Sequence, residues 1–368
     1  MNKRTISRFF SRVGKKEGVC ILLALLSVTN IGKVFAVTHK DYTIDVYKTD
    51  QITAEEVDQK YGKQLAVITE EMRKLKKIGS AAGGDKMNHA MDILMEGVSK
   101  HGSFAYLGLS PVMYPDVKRI SFTLDIVDKK DQFRLQGFKK KPTREVKDPN
   151  HLIEDWHRYE KYVFESFLET RTSPAMSDCS AFHCIYNFTD PAIKQYGVKF
   201  NQEVPKHKQE LVDILRNDKD DNKRAAAAFL LAHLKNGNEV ITLLVPSMRD
   251  PSNQVRNNAM RVMGQTLTKL KNTDFPVEEA VRALQYPTDL DRNKALYIIN
   301  SLVVQPRYAL YIKQHAVNTL LDLLKLEQPN QHNDAYQVLK SISHKNYGDR
   351  DYASWKKWAK NHCGDKAK

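Results

Sequence analysis

One short stretch of the chain gathers residue types that bind metals or attack carbonyls: Cys179-Ser180-Ala181-Phe182-His183-Cys184. Two thiols and an imidazole are three ligands suited to zinc, but a closed structural site needs a fourth, and adjacent His183 and Cys184 rarely aim at one ion. Read as a Cys–His nucleophile and base, the neighbours again diverge, and nothing nearby marks an oxyanion hole. The remaining reading is a small disulfide loop joining Cys179 to Cys184, with His183 an ordinary polar loop residue. Four intervening residues close such a loop without strain, so this reading is preferred. Elsewhere His151 and His157 stand six residues apart, which does not place them on one helix face. His-Glu-x-x-His, phosphate-binding glycine loops and a nucleophile elbow are missing, and Glu154 and Asp155 read as a solvated face. The sequence therefore assigns no catalytic residue, no metal ligand and no cofactor.

The chemistry that remains is binding, and the ends of the chain say where. The first 36 of the 368 residues hold Lys3, Arg4, Arg8, Arg12, Lys15 and Lys16, then the apolar run VCILLALLSV, then Val34-Phe35-Ala36. A basic n-region, a short apolar h-region and small residues at the cleavage positions describe a secretory signal, with cleavage expected after Ala36. The rival is an uncleaved anchor, for which the run is short and Lys33 interrupts its far end. No later segment is apolar enough to span a membrane. Removing the signal lowers the net charge from +14 to +8. That excess is spread along the helices of the second half and forms no dense stripe, which argues against nucleic acid as a partner. Three cysteines stay in the exported chain, allowing one bridge and leaving Cys363 as the odd thiol. The expected location is the periplasm or the exterior.

Internal repetition organises the second half. LVDILRNDKDDNKRAAAAFLLAHL (211–234) aligns with 244–267, 280–303 and, more loosely, 320–342. The common anchor is Arg-x-x-Ala: Arg224/Ala227, Arg256/Ala259 and Arg292/Ala295, with His332/Ala335 last. Periods in this range mean stacked helix pairs, none of which buries its apolar stripe alone. Alanine sits at the closest helix approach, and Leu230, Leu231, Leu234, Val262, Met263 and Thr266 supply the stripe. Asp289, by contrast, reads as a replaceable surface residue.

This pattern resembles HEAT repeats, in which an Asp at the inter-helix turn and an Arg opening the second helix form a ladder between units. Asp218/Arg224 and Asp250/Arg256 keep that spacing; the third unit has Tyr286 for Asp, and the fourth has Leu326 and His332. The resemblance covers 205–345. DRDYASWKKWAKNHC (349–363) then reads as a capping helix with Trp355, Trp358 and Ala359 inward and Asp351 as its cap.

Ahead of the repeats, YTIDVY (42–47) alternates like a half-buried strand, and TAEE (53–56) is a capping box opening a helix through Val57, Leu65, Ile68 and Met72. GSAAGG (79–84) should break it before a second helix over 86–99. Strands follow at 104–114 and 120–127. The order β-α-α-β-β resembles polypeptide-transport-associated (POTRA) modules, which bind other chains by adding a strand at a sheet edge.

The expected chain is mainly α: a signal peptide over 1–36, a small α+β domain over 37–137, and a basic linker with helical lead-in over 138–204. A HEAT-like α-α superhelix (205–345) and a capping helix (346–368) complete it. It resembles secreted bacterial HEAT-repeat proteins. The expected function is a non-catalytic scaffold for another exported protein or peptide segment, with a metal- or thiol-dependent factor centred on Cys179, His183 and Cys184 as the alternative. The position two after each repeat Ala points away from the core. That column is Phe229, Arg261, Tyr297 and Gln337; its neighbour is His233, Gln265, Ser301 and Ser341. Together they should form a binding stripe on the concave face, because aromatic and arginine side chains dominate binding hot spots.

Overall fold

The structure is a computed structural model and describes residues 36–75, 81–114, 119–170, 179–186, 188–270 and 273–363. The basic and apolar leader through residue 35 lies outside the described residues. The chain is mainly α with one small four-stranded sheet. No helix among the described residues is long and apolar enough to cross a membrane.

Strand β2 (Tyr42–Tyr47) is the segment whose alternation marks it as a strand. It pairs antiparallel with a three-residue strand, β1 (Ala36–Thr38), which is too short to show any period in the sequence. Helix α1 (Ala54–Lys74) opens with the expected capping box: Thr53 accepts from the Glu56 amide while Glu56 accepts from the Thr53 amide. Two of the amides that a helix start leaves open are thereby satisfied. Helix α2 (Ala81–Ser99) begins earlier than its apolar period does, so Gly83 and Gly84 lie within it and do not end it. Strands β3 (Phe104–Met113) and β4 (Ile120–Asp128) complete a sheet of order β1-β2-β4-β3. β2 and β4 run parallel, and the α1–α2 hairpin with β3 supplies the crossover that a parallel pair requires. Ile44, Val46, Leu107, Leu109, Phe122, Leu124 and Ile126 form one sheet face and pack on Val57, Leu65, Ile68, Leu94 and Val98.

Contacts divide the described chain into two compact units. One holds the α+β region to Gln136 and resumes at Leu284; the other is Gly137–Ala283. The second unit contains α3 (Leu152–Thr170), α4 (Lys194–Glu203), the pair α5 (Lys208–Asn217) and α6 (Asp221–Leu230), the pair α7 (Gly237–Leu244) and α8 (Asn253–Lys269), and α9 (Val277–Ala283). Ala227 and Ala259 are fully buried, as are Leu230, Leu231, Val262, Met263 and Thr266. Arg224 donates to the Asp218 carbonyl at 2.8 Å and grips both oxygens of Asp250, from the next turn, at 3.0 and 2.8 Å. Arg256 makes the same first contact with the Asp250 carbonyl at 2.8 Å, and its guanidinium lies 4.3 Å over the Phe138 ring. The basic segment beginning at Phe138, expected as a linker, is fastened along this edge. Lys139 donates its amide to Arg249 at 2.7 Å, and the Val146 amide reaches the Asp218 carboxylate at 2.8 Å.

The first unit also contains α10 (Asp289–Leu302), α11 (Pro306–His315), α12 (Val317–Leu323), α13 (Pro329–Ser343) and α14 (Tyr352–Cys363). These helices cover the polar face of the sheet. Alternation indicated half-buried strands, yet every residue of β2 and β4 is buried. Arg292, 0% exposed, donates to the Pro287 carbonyl at 3.0 Å and to Gln331 at 3.0 Å. Its carboxylate partner is Asp125 of β4, and the Tyr47 ring lies 4.1 Å away. Asp45 of β2 accepts the Glu327 and Gln328 amides at 2.8 Å each, beside Leu326, where the repeat pattern lacks its Asp. His332 stands in for the last Arg, bonding the Leu324 carbonyl at 2.7 Å and Asp349 at 3.1 Å. Asp289 is buried, not replaceable surface: its amide donates to Asp125 at 2.7 Å. In α14, Asp351 caps through the Ser354 amide, and Trp355, Trp358 and Ala359 are buried as the spacing predicted.

Asp125→Ala strips a buried guanidinium of its counter-charge and should cost about 3–5 kcal/mol, whereas replacing both Asp125 and Arg292 by apolar residues of similar size should cost less. Urea unfolding of the whole chain followed by circular dichroism checks this; equal losses for the two variants would contradict it.

Candidate functional site

The stretch that carried the possible chemistry folds into a clipped loop. The sulfurs of Cys179 and Cys184 lie at bonding distance, with Cα atoms 5.7 Å apart. The groups between them hold the loop down. Ser180 accepts from the Asn201 amide side chain at 2.8 Å, and Ala181 accepts from the Lys269 ammonium at 2.7 Å. Phe182 donates its amide to the Ala232 carbonyl at 2.9 Å. His183 stacks on Phe229 with centroids 5.3 Å apart, and its Nδ1 lies 2.5 Å from the Gln265 side-chain oxygen. The imidazole is thus committed to an aromatic face and an amide. Among the described residues, no three His, Cys, Asp or Glu side chains are grouped as a metal ion would need.

The loop settles where half of the expected stripe lies. Phe229 is 3% exposed, stacked between His183 and Trp156, the latter at 4.9 Å. His233 is 4% exposed; its Nδ1 meets Asn201 at 2.8 Å, and the Phe200 and Phe188 rings lie 5.4 and 6.0 Å away. Both were expected to face a partner. Instead α3, α4 and the clipped loop cover them, because Trp156, Tyr159, Phe188 and Phe200 must themselves be buried. Four large aromatics within 151–205 were the available sign that this segment is core and not lead-in. Asp155, expected in a solvated face, is likewise buried and ion-pairs with Lys199 at 2.7 Å. Arg261 is half-buried, and Gln265 is half-buried where it holds His183. In the other unit Tyr297 and Ser301 are partly exposed, and Gln337 and Ser341 are exposed.

A family model of HEAT repeats matches residues 209–297, from α5 into α10. The paired helices are HEAT-like repeats. No curated protein and no solved structure matches the chain. The fourth repeat, with His332 in the ladder position, lies beyond the matched residues.

Burial leaves its mark on the electrostatics of the first repeat. It pushes His233 down from an ordinary value of 6.5 to about 3, since a protonated imidazole there would be cut off from water. His233 is therefore neutral at any physiological pH and offers no proton to chemistry near neutrality. A depressed folded value means that the unfolded chain binds the proton more readily, so stability is present above about 6.5 and is lost as pH falls. Relative to His233→Gln, the wild-type chain should lose about 3 kcal/mol between pH 7 and pH 4. Paired denaturation curves across that range test it; a difference that does not vary with pH would show that His233 is hydrated.

Proposed function

We propose that this chain is an exported, non-catalytic scaffold that holds another exported protein, or a peptide segment of one, on the second helices of its HEAT-like repeats. One observation carries the reading: the stripe remains accessible on α10 and α13, through Tyr297, Ser301, Gln337 and Ser341. A helix surface kept only for solubility favours Lys and Glu, whereas these four positions hold one tyrosine and three uncharged polar residues. Tyr297→Ala combined with Gln337→Ala should abolish crosslinked capture of the partner in the native cell while leaving the melting temperature nearly unchanged. Undiminished capture would remove this face as the site. Nucleic acid is not the proposed partner, since the basic residues are dispersed.

Export rests on the basic and apolar leader ending in Val34-Phe35-Ala36. Cleavage there would leave Val37 and Thr38 paired with Ile44 and Thr43, so the sheet would keep most of β1. Intact-mass measurement of the exported protein should give a chain beginning at Val37, and a retained leader would make the segment an anchor. The alternative, a metal- or thiol-dependent factor at Cys179, His183 and Cys184, has both sulfurs at bonding distance and its imidazole on Gln265. Thiol counting on the exported protein separates the two readings.

A further inference from the structure

Strand β1 is followed by a histidine whose ring is set by the helix packed beside it. His39 stands directly after Thr38, and its Nε2 donates to the Asp58 carboxylate of α1 at 2.9 Å. The direction of that bond is fixed, since a carboxylate only accepts. Asp58 is buried, and its other oxygen accepts the Tyr42 hydroxyl; the Tyr42 ring lies 4.6 Å from the imidazole. Gly62, one turn along α1, keeps room for this carboxylate: a Cβ there would stand 2.8 Å from Asp58 Oδ1. With the ring proton on Nε2, Nδ1 carries a bare lone pair. It makes no hydrogen bond among the described residues, and the side chain is 35% exposed. An imidazole held through one nitrogen by a buried carboxylate, with the other nitrogen open, is the arrangement that stands behind metal-ligating histidines.

The place of His39 in the chain supplies the remaining ligands. Cleavage after Ala36 makes Val37 the first residue and His39 the third. An α-amine, the two amides that follow it and an imidazole at the third position can close around one ion. Once those amides lose their protons, the set is square-planar and all nitrogen, which suits copper(II) and nickel(II), copper(II) the more tightly. In that chelate the imidazole binds through Nδ1, the nitrogen nearer its own backbone, and Nδ1 is the one that Asp58 leaves open. A leader still attached would turn the amine into an amide and remove the site. Strand pairing competes with the metal: the His39 amide donates to the Tyr42 carbonyl at 2.7 Å, and Val37 and Thr38 lie opposite Ile44 and Thr43. Copper therefore has to draw β1 away from β2. The strand is short and Thr38 is exposed, so Val37 is the side chain that the core gives up.

We propose that the processed N-terminus is a copper(II) site formed by the Val37 amine, the Thr38 and His39 amide nitrogens and His39 Nδ1, with Asp58 as its positioning residue. This rests on the export reading, which sets Val37 first. Binding releases one proton from the ammonium and one from each amide; the metal stays copper(II), and the bound group is uncharged. The exported protein, stripped with a chelator, is titrated with copper(II) alone. One equivalent should bind, with the electron paramagnetic resonance pattern of four equatorial nitrogens. His39→Ala should abolish that pattern. So should a chain made to begin one residue earlier, at Ala36, which moves the histidine out of third place while its sheet stays whole. Melting curves of both metal-free chains should match the wild type. Asp58→Asn should weaken copper by about tenfold, read by competition with free histidine, because the ring loses its charged acceptor; an unchanged affinity would overturn the positioning role. A four-nitrogen signal that survives either His39→Ala or the added Ala36 overturns the site. Intact mass of the same sample keeps the failures apart. A chain beginning at Val37 without the signal sinks the copper site and leaves export standing, whereas a different first residue overturns the cleavage point and the site together.

Discussion

A guanidinium buried at the start of a helix has to find both a carbonyl to donate to and a negative group to face, and much of this protein is arranged around that need. An isolated charge removed from water is destabilising by several kcal/mol unless it is paired and hydrogen-bonded. Arg224 meets the requirement within the repeats, through the Asp218 carbonyl and the Asp250 carboxylate. Arg256 reaches a carbonyl of its own turn and lies over Phe138 of the segment that precedes the helices. Arg292 takes its carboxylate, Asp125, from the sheet. His332 manages with Asp349 and a carbonyl. A single structural position is thus solved four ways, and the last three recruit chain from outside the helix pairs.

That recruitment explains the composition of the first compact unit. The sheet has an apolar face for its own helices and a second face bearing Thr43, Asp45, Ser121, Thr123 and Asp125, all buried. In a free-standing module that second face would be the wet one. Here Asp45 and Asp125 supply acceptors to repeats whose own turns lack an aspartate, and a polar strand face becomes an interior one. The expected strands and helices are present with the short β1 added ahead of them, and the sheet's polar face is occupied by the chain's own terminal repeats.

The same economy governs the surfaces left for binding. Aromatic side chains in α3, α4 and the clipped loop must be removed from water, and the nearest apolar surface is the one carrying Phe229 and His233. Covering them converts two residues of a plausible binding stripe into core. On α10 Tyr297 and Ser301 stay partly exposed, and on α13 Gln337 and Ser341 are exposed. Function, on this view, lies where the protein has not already satisfied itself.

Local pattern was enough for the helices, the capping box at Thr53, the strands with a period, the burial of Ala227 and Ala259, and the disulfide-spaced pair, because each depends on residues a few positions apart. The ladder was legible in part: Arg224 and Asp250 announce themselves by repeat spacing, whereas the partners of Arg256 and Arg292 do not. Asp125 lies 167 residues from Arg292, and no periodicity connects them. The exposure of the stripe was beyond sequence for the same reason. Helical phase says that Phe229 points away from its own helix pair; whether water or Trp156 waits there depends on how a distant segment packs. Sequence by itself determined the repeats and the side of each helix that faces its neighbours. Only tertiary structure decided which of the remaining faces are covered, because burial is a property of the whole chain competing for a limited supply of apolar surface and counter-charge.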